Sequence, residues 1–414
     1  MVMNSSVWPT FGVSRPVVRD GRPTWAGVAT ERVILMSAPV ARSMGGSGSG
    51  DLPDEGRMDV AEGQNLDTDL VRRYALTTWS FKQGEMVSLM IHLGYRLGLY
   101  EAMDGAGPLT AGELASSTGC HERWLLEWLR CHGAAGLLGT EDGDVFTLEA
   151  EAAAVLARRG EPTYAAAVFA NLRPREVVDG LTDAFRTGAG LDYDGQGEGS
   201  EHAVEAMCGP MSRALLVPVL LPLLEGVGDK LKAGARVLDV GCGTGLALEL
   251  LADAFPASTY VGYDPSVRAI DIARERFADR ENISVVRAGG EEVPPSGDVD
   301  LALTMDCLHD MPRPDRTLAA IREAITDEGT LVIKEIRSSP HWSANLKNPV
   351  LPMMYATSVA TCLSSAMSDH DTLGLGTLGL HPERLAELTF EAGFTRFVRH
   401  DLDDPTNIYY EVRP

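Results

Sequence analysis

The sequence has few cysteines, no apolar run long enough to span a bilayer and too little positive charge, and each shortage removes a class of function. Its longest apolar stretch, residues 214–224, is broken by Pro218 and Pro222 and falls short of the roughly 20 residues that a spanning helix needs. It reads as a core helix with no membrane role. The six cysteines, Cys120, Cys131, Cys208, Cys242, Cys307 and Cys362, contain no C-x-x-C pair. Neither a zinc framework nor a disulfide scaffold is indicated, and small buried thiols in a reducing cytoplasm are expected. Lys and Arg number 36 against 59 Asp and Glu, a formal charge of −23. Such a surface repels phosphate backbones and anionic lipid, so nucleic acid is not an expected partner, whereas small neutral or cationic molecules are.

A length of 414 residues leaves room for two separate cores. Residues 1–57 mix Pro, Gly, Ser and Arg without periodicity and read as a disordered extension; only Val33, Ile34, Leu35 and Met36 hint at the apolar segment a secretory signal needs. Met58 opens the first helical pattern and is a candidate start beside Met1. Residues 58–160 form the next unit. Apolar spacing over 66–96 predicts two helices with a break near Gln83 and Gly84. Thr110 with Glu113 makes a capping box, residues 116–119 a turn, 121–131 a second helix, and 145–148 a strand after an acidic turn. That order is a helix-turn-helix followed by a wing. A DNA reader needs a basic second helix; here Glu122 and Glu127 offset Arg123 and Arg130, and the wing carries Glu141, Asp142 and Asp144. Trp124 and Trp128, four apart, suit core packing or a subunit contact. Residues 161–204 read as a helical linker or lid, and the Gly- and Asp-rich 187–201 as a solvated linker.

The most specific signal lies in the third unit, 205–414. Val237, Leu238 and Val240 suit a strand buried on both faces, and Gly241, Gly243 and Gly245 then allow backbone N–H groups to approach a ligand before a helix begins at Leu246. The spacing is G-x-G-x-G, with Asp239 two positions ahead, rather than the dinucleotide G-x-G-x-x-G. The next strand, 259–263, ends in Asp264, placed to accept two ribose hydroxyls. Together these favour S-adenosylmethionine over NAD. At this point the chain resembles the class I S-adenosylmethionine-dependent methyltransferases. With the front module included, it is similar to the winged-helix-associated members that methylate hydroxyls of small metabolites, and to actinobacterial relatives of unassigned substrate.

Further strands at 283–286, 299–304 and 330–334, and a closing pair at 395–400 and 407–412, give an α/β class: a Rossmann-like, mostly parallel seven-stranded sheet behind an N-terminal α-helical winged-helix domain. Ligands of such sheets sit at the strands' C-terminal ends, where Gly241, Asp264, Ala288 and Asp306 fall. The resemblance implies that Gly241, Cys242, Gly243 and Gly245 pack against the methionine part of the cofactor, with Asp239 near its ammonium. It also implies Asp264 on the ribose, Tyr263, Ala288 and Gly289 beside the adenine, and a homodimer built through the N-terminal helices. His309 inherits the general-base role of the family's His-Asp segment, shared with Asp310; simple pocket lining is the alternative. The insertion 337–380 is expected to cap the substrate, lined by Met353, Tyr355, Ser358 and Cys362, with a mobile glycine tract at 373–379. No Asn-Pro-Pro-Tyr or Asp-Pro-Pro-Tyr segment and no Pro-Cys pair is present, which lowers nucleobase methylation, and no partner motif supports a metal. The expected activity is methyl transfer to a hydroxyl of a small, largely apolar metabolite. A ligand-binding regulator and an N- or C-methylating enzyme remain the alternatives.

Overall fold

The computed structural model describes residues 66–414 apart from Asn171 and Asp403, together with the backbone of two short N-terminal strands, β1 (Val17–Arg19) and β2 (Arg22–Thr24), which pair antiparallel. The rest of 1–57, read as a disordered extension, and the choice between Met1 and Met58 lie outside the described residues. The chain divides into a unit 1–76 and a compact unit 77–414.

Helix α1 (Thr68–Arg96) is one helix of 29 residues rather than the two that Gln83 and Gly84 suggest. A glycine inside a helix costs about 1 kcal/mol relative to alanine but removes no backbone hydrogen bond, and nothing crowds Gly84. There follow α2 (Leu99–Met103), β3 (Leu109–Thr110), α3 (Ala111–Thr118), α4 (Glu122–Ala134), β4 (Val145–Phe146) and α5 (Ala150–Leu156). The capping box closes as expected: Thr110 Oγ1 accepts from Glu113 N, and Glu113 Oε2 accepts from Thr110 N. Strands β3 and β4 pair antiparallel as the wing, over a core that includes Leu114, Leu125, Leu129 and Phe146. The two tryptophans of α4 part company. Trp128 is buried and its Nε1 donates to Met90 O at 2.9 Å, whereas Trp124 is 79% exposed.

Helices α6 (Arg175–Thr187) and α7 (Ser200–Leu215) lead to the sheet. Past α7 the chain loosens into a π turn, Leu216–Leu220, where Pro218 cannot donate a helical hydrogen bond. The run Ser200–Leu223, with mean hydropathy 1.5, is the described helical stretch long and apolar enough to cross a membrane. In this fold its Leu216, Leu220 and Leu221 enter the core beneath the sheet.

After α8 (Val227–Ala233) come β5 (Arg236–Val240), α9 (Leu246–Ala254), β6 (Thr259–Asp264), α10 (Val267–Arg276), β7 (Ile283–Arg287), β8 (Val299–Met305), α11 (Pro314–Ala324) and β9 (Ile325–Ile336). The chain finishes with α12 (Trp342–Asn345), α13 (Leu351–Thr357), α14 (Leu363–Ala366), α15 (Pro382–Glu391), β10 (Arg396–His400) and β11 (Asn407–Arg413). Strand order is β10-β11-β9-β8-β5-β6-β7, with β5 to β9 parallel and the last two strands antiparallel. The direction of strand addition reverses between β5 and β8. Helices cover both faces, so Val237 and Leu301 enter one core and Leu238, Val240 and Ala302 the other. The crevice at that reversal opens above the C-terminal ends of β5 and β8.

Candidate active site

The glycines that follow β5 hold backbone angles that side chains resist: φ is 74° at Gly241, 53° at Gly243 and 89° at Gly245. A Cβ on Gly241 would lie 2.6 Å from Cys307 Sγ. The loop is tied to the next strand by Gly241 N and Cys242 N, which donate to Tyr263 O, and by Gly243 N, which donates to Asp264 Oδ2 at 2.9 Å. Ser266 N donates to the other oxygen of Asp264. Asp239, at the turn's base, is fully buried, and its Oδ1 has no protein hydrogen-bond partner. Burial, aided by the nearby Asp264, pushes its carboxyl up to about 7. Burial also raises Asp264, against the two N–H groups that favour its charge. An unpaired buried carboxylate beside open backbone is arranged for a cation.

Strand β9 supplies two charges in succession. Lys334 and Glu335 are each about 1% exposed, and the pleat sends them to opposite faces. The Lys334 ammonium pairs with Asp306, which ends β8 with φ 60°, and Asn407 Nδ2 from β11 donates to the same carboxylate. Burial alone would lower Lys334, but Asp306 outweighs it and holds the ammonium charged. Asp306 also lines the cavity.

On the other face, Glu335 Oε2 lies 2.7 Å from His309 Nδ1, and His309 N donates to Glu335 Oε1. Both side chains are buried. Burial opposes the imidazolium, but the Glu335 carboxylate and then the Cys362 thiol raise His309 well above its ordinary range. Beside it, Asp310 accepts from Tyr193 Oη at 2.6 Å, and burial brings its carboxyl up to about 7. Ligand atoms of His309, Asp310 and Cys362 lie within 4.8 Å of one another.

A cavity of about 200 Å³ is lined by Asp239, Gly241, Cys242, Gly243, Asp264, Asp306 and Asp310, with Glu205 and Cys208 from α7 and Tyr193; His309, Glu335 and Cys362 lie behind its wall at Asp310. Gly245, Tyr263, Ala288 and Gly289 lie outside that lining; Ala288 N donates to Asp264 O and so keeps the β7 end beside it. Cys362 is buried against His309. Ser358 is also buried, but its Oγ accepts from Thr377 N and pins the glycine tract, which is thus packed rather than free. Met353 and Tyr355 are corrections to the expected lining. They are 58% and 40% exposed because α13 turns Leu351 and Met354 inward, and Tyr355 stacks on Trp342 instead.

The stretch 187–201 is also built into the cavity wall instead of floating as a linker. Asp194 caps α10, accepting from Ser266 Oγ at 2.7 Å and Val267 N at 2.9 Å. Arg268 gathers the carbonyls of Asp194 and Gly197. Leu191 N donates to Ser364 Oγ, and Gln196 Nε2 to Thr361 O, joining this strap to the cap. Behind it, Glu205 accepts from Arg276 and from Thr244 Oγ1. Sequence reasoning missed Glu335, Tyr193, Glu205 and Lys334. A Lys-Glu pair closing an otherwise apolar strand was the available signal for two of them.

Residues 213–366 match the family model of a methyltransferase domain, and residues 85–158 match that of an Rv2258c-like winged HTH domain. The chain carries a methyltransferase domain behind a winged helix-turn-helix domain. Among curated relatives, the fatty-acid O-methyltransferase of Mycolicibacterium smegmatis is 29% identical over 125 residues, covering 29% of this chain and 45% of that protein. The ubiquinone biosynthesis O-methyltransferase of Aromatoleum aromaticum is 32% identical over 107 residues, covering 25% and 45%. The chain thus spans less than half the length of these two relatives. Solved structures align more fully. A mitomycin 7-O-methyltransferase matches with TM-score 0.57 at 20% identity, covering 84% of this chain and 99% of that one. Human N-acetylserotonin methyltransferase in complex with SAM matches at 0.56 and 18%, covering 85% and 99%. At these identities what is shared is the fold, front module included.

Proposed function

We propose that this methyltransferase-domain protein binds S-adenosylmethionine and moves its methyl group to a hydroxyl of a small, largely apolar metabolite, as a homodimer joined through its N-terminal helices. The observation that carries the reading is the buried His309–Glu335 pair beside a cavity in which Asp239 Oδ1 has no protein partner. Asp239 would receive the cofactor's ammonium, the loop at Gly241 and Gly243 its methionine part, and Asp264 its ribose. When bound, the cofactor supplies an already activated methyl group.

What remains for the protein is alignment and proton management. Holding an acceptor in line with the methyl group is worth about 7–11 kcal/mol in ideal cases. Glu335 fixes the ring of His309, which in its neutral form takes the acceptor's proton through Nε2 as the hydroxyl attacks. Tyr193 holds Asp310 beside that position. Exposed large apolar side chains on α1, Tyr74, Trp79 and Phe81 among them, make this helix the surface expected to meet a second copy.

The test has two parts. Calorimetry should show one S-adenosylmethionine per chain, and labelled methyl should move to members of a panel of hydroxylated apolar acceptors. His309→Gln should abolish transfer and leave cofactor affinity within about threefold. Unchanged turnover in that variant would remove His309 from the chemistry; absence of cofactor binding in the parent would overturn the reading as a whole.

A further inference from the structure

We propose that His309, Asp310 and Cys362 form a binding site for a single divalent transition metal ion of the zinc class. The three side chains come from two segments that the fold presses together: a single turn after β8 (Leu308–Asp310), and the π turn Ser358–Cys362 between α13 and α14. Their ligand atoms lie within 4.8 Å of one another, and all three residues are buried. In a tetrahedral zinc site, ligand atoms about 2.0–2.3 Å from the metal stand roughly 3.3–3.8 Å apart. Closing the remaining gap takes side-chain rotation, without movement of the sheet.

The surroundings suit a metal as well as the donors do. Glu335 Oε2 engages His309 Nδ1 at 2.7 Å, which leaves Nε2 as the ligating nitrogen. A carboxylate behind a ligating imidazole fixes its tautomer and increases its donor strength. Tyr193 Oη donates to Asp310 Oδ2 at 2.6 Å and leaves Oδ1 for the ion. One nitrogen, one sulfur and one carboxylate oxygen select zinc or cobalt over magnesium or calcium, which prefer oxygen alone. Of the three, Asp310 lines the cavity, so a fourth ligand is expected from that side. Three protein ligands with one open position is the arrangement of a reactive, exchangeable metal site rather than a purely structural one.

Metal on Nε2 and proton acceptance by Nε2 exclude one another. The second half of that statement rests on the function proposed above, whereas binding itself does not, and the experiment separates them. Full-length protein, reduced and stripped with chelator, is titrated with Co²⁺ alone, without cofactor or substrate. The expected result is one equivalent bound, with visible d–d bands and a near-ultraviolet sulfur-to-cobalt charge-transfer band that Zn²⁺ displaces. Cys362→Ser should remove the charge-transfer band, Glu335→Gln should weaken binding about 10- to 100-fold, and Cys120→Ser should change nothing. Zinc-edge X-ray absorption of the parent protein needs no variant and should report one sulfur among nitrogen and oxygen ligands. No charge-transfer band in the parent, a band that survives Cys362→Ser in a folded variant, or a shell without sulfur would each overturn the proposal. Loss of transfer in His309→Gln with no cobalt binding in the parent would leave the methyltransferase reading standing and remove only the metal.

Discussion

Replacing Asp239 by Asn should stabilise the protein without cofactor and reduce the stabilisation that cofactor adds, because the buried carboxylate is a charge awaiting a partner. Its carboxyl is raised from an ordinary 3.8 to about 7 by burial and then by Asp264. At ~1.4 kcal/mol per tenfold change in proton affinity, that withholds about 4 kcal/mol from the unliganded fold once Asp239 is ionised. The sign follows from proton linkage. Between pH 4 and 7 the folded state keeps a proton that the unfolded chain has lost, so this contribution to stability falls as pH rises through that window and is flat above it. Asn removes the charge but leaves an amide lacking a partner, a cost of about 1–3 kcal/mol. The net expectation is a gain of about 1–3 kcal/mol at pH 8 and none at pH 5, where the linkage amounts to just under about 2 kcal/mol and the amide's cost offsets it. With S-adenosylmethionine at a hundred times its dissociation constant, the parent gains about 2.7 kcal/mol and the variant less. Thermal and urea melts at the two pH values, with and without cofactor, read all four states. An Asn variant that melts below its parent at pH 8 without cofactor would refute the reasoning.

Gly241→Ala should destabilise the protein by about 2–5 kcal/mol, since a Cβ there meets Cys307 and the left-handed angle strains any side chain. Urea denaturation checks this, and adding Cys307→Ala should recover only the share due to Sγ, because Cys307 Cβ lies 2.7 Å from the added methyl. Tyr193→Phe leaves Asp310 without its donor and loosens the strap; calorimetry should show about tenfold weaker cofactor binding, and unchanged affinity would place Tyr193 outside the site. Trp79, 71% exposed on α1, should become a dimer contact. Light scattering should therefore report a dimer for the parent and a shift toward monomer for Trp79→Glu.

Local signals carried most of the fold, because the strands 237–240, 259–263 and 299–304 are apolar and bounded by glycines or acids. The Thr110 capping box and the Ser266 cap are also encoded within four residues of chain. Gly84 misled because a weak propensity was set against a long helix that tolerates it. In the site, Asp239 and Asp264 were legible from the spacing around the glycine loop, and His309 from the resemblance of its His-Asp segment. Glu335 and Tyr193 were not. Each gains its place through pairing across the sheet or a strap docked more than a hundred residues away from its partner, which no periodicity records. Met353 and Tyr355 failed for a related reason: position after β9 marks the cap but does not tell which face of α13 turns inward.

The adjacency of Lys334 and Glu335 has a consequence for how this domain tolerates change. Because neighbours on a strand face opposite ways, their order assigns the cation to the Asp306 corner and the anion to His309. One residue inserted or lost between Gly329 and Lys334 would turn each side chain to the opposite face, taking the ammonium from Asp306 and the carboxylate from His309. Two residues would restore the faces but carry both groups about 7 Å along the strand, away from their partners. The site therefore fixes both the parity and the length of β9 ahead of Lys334.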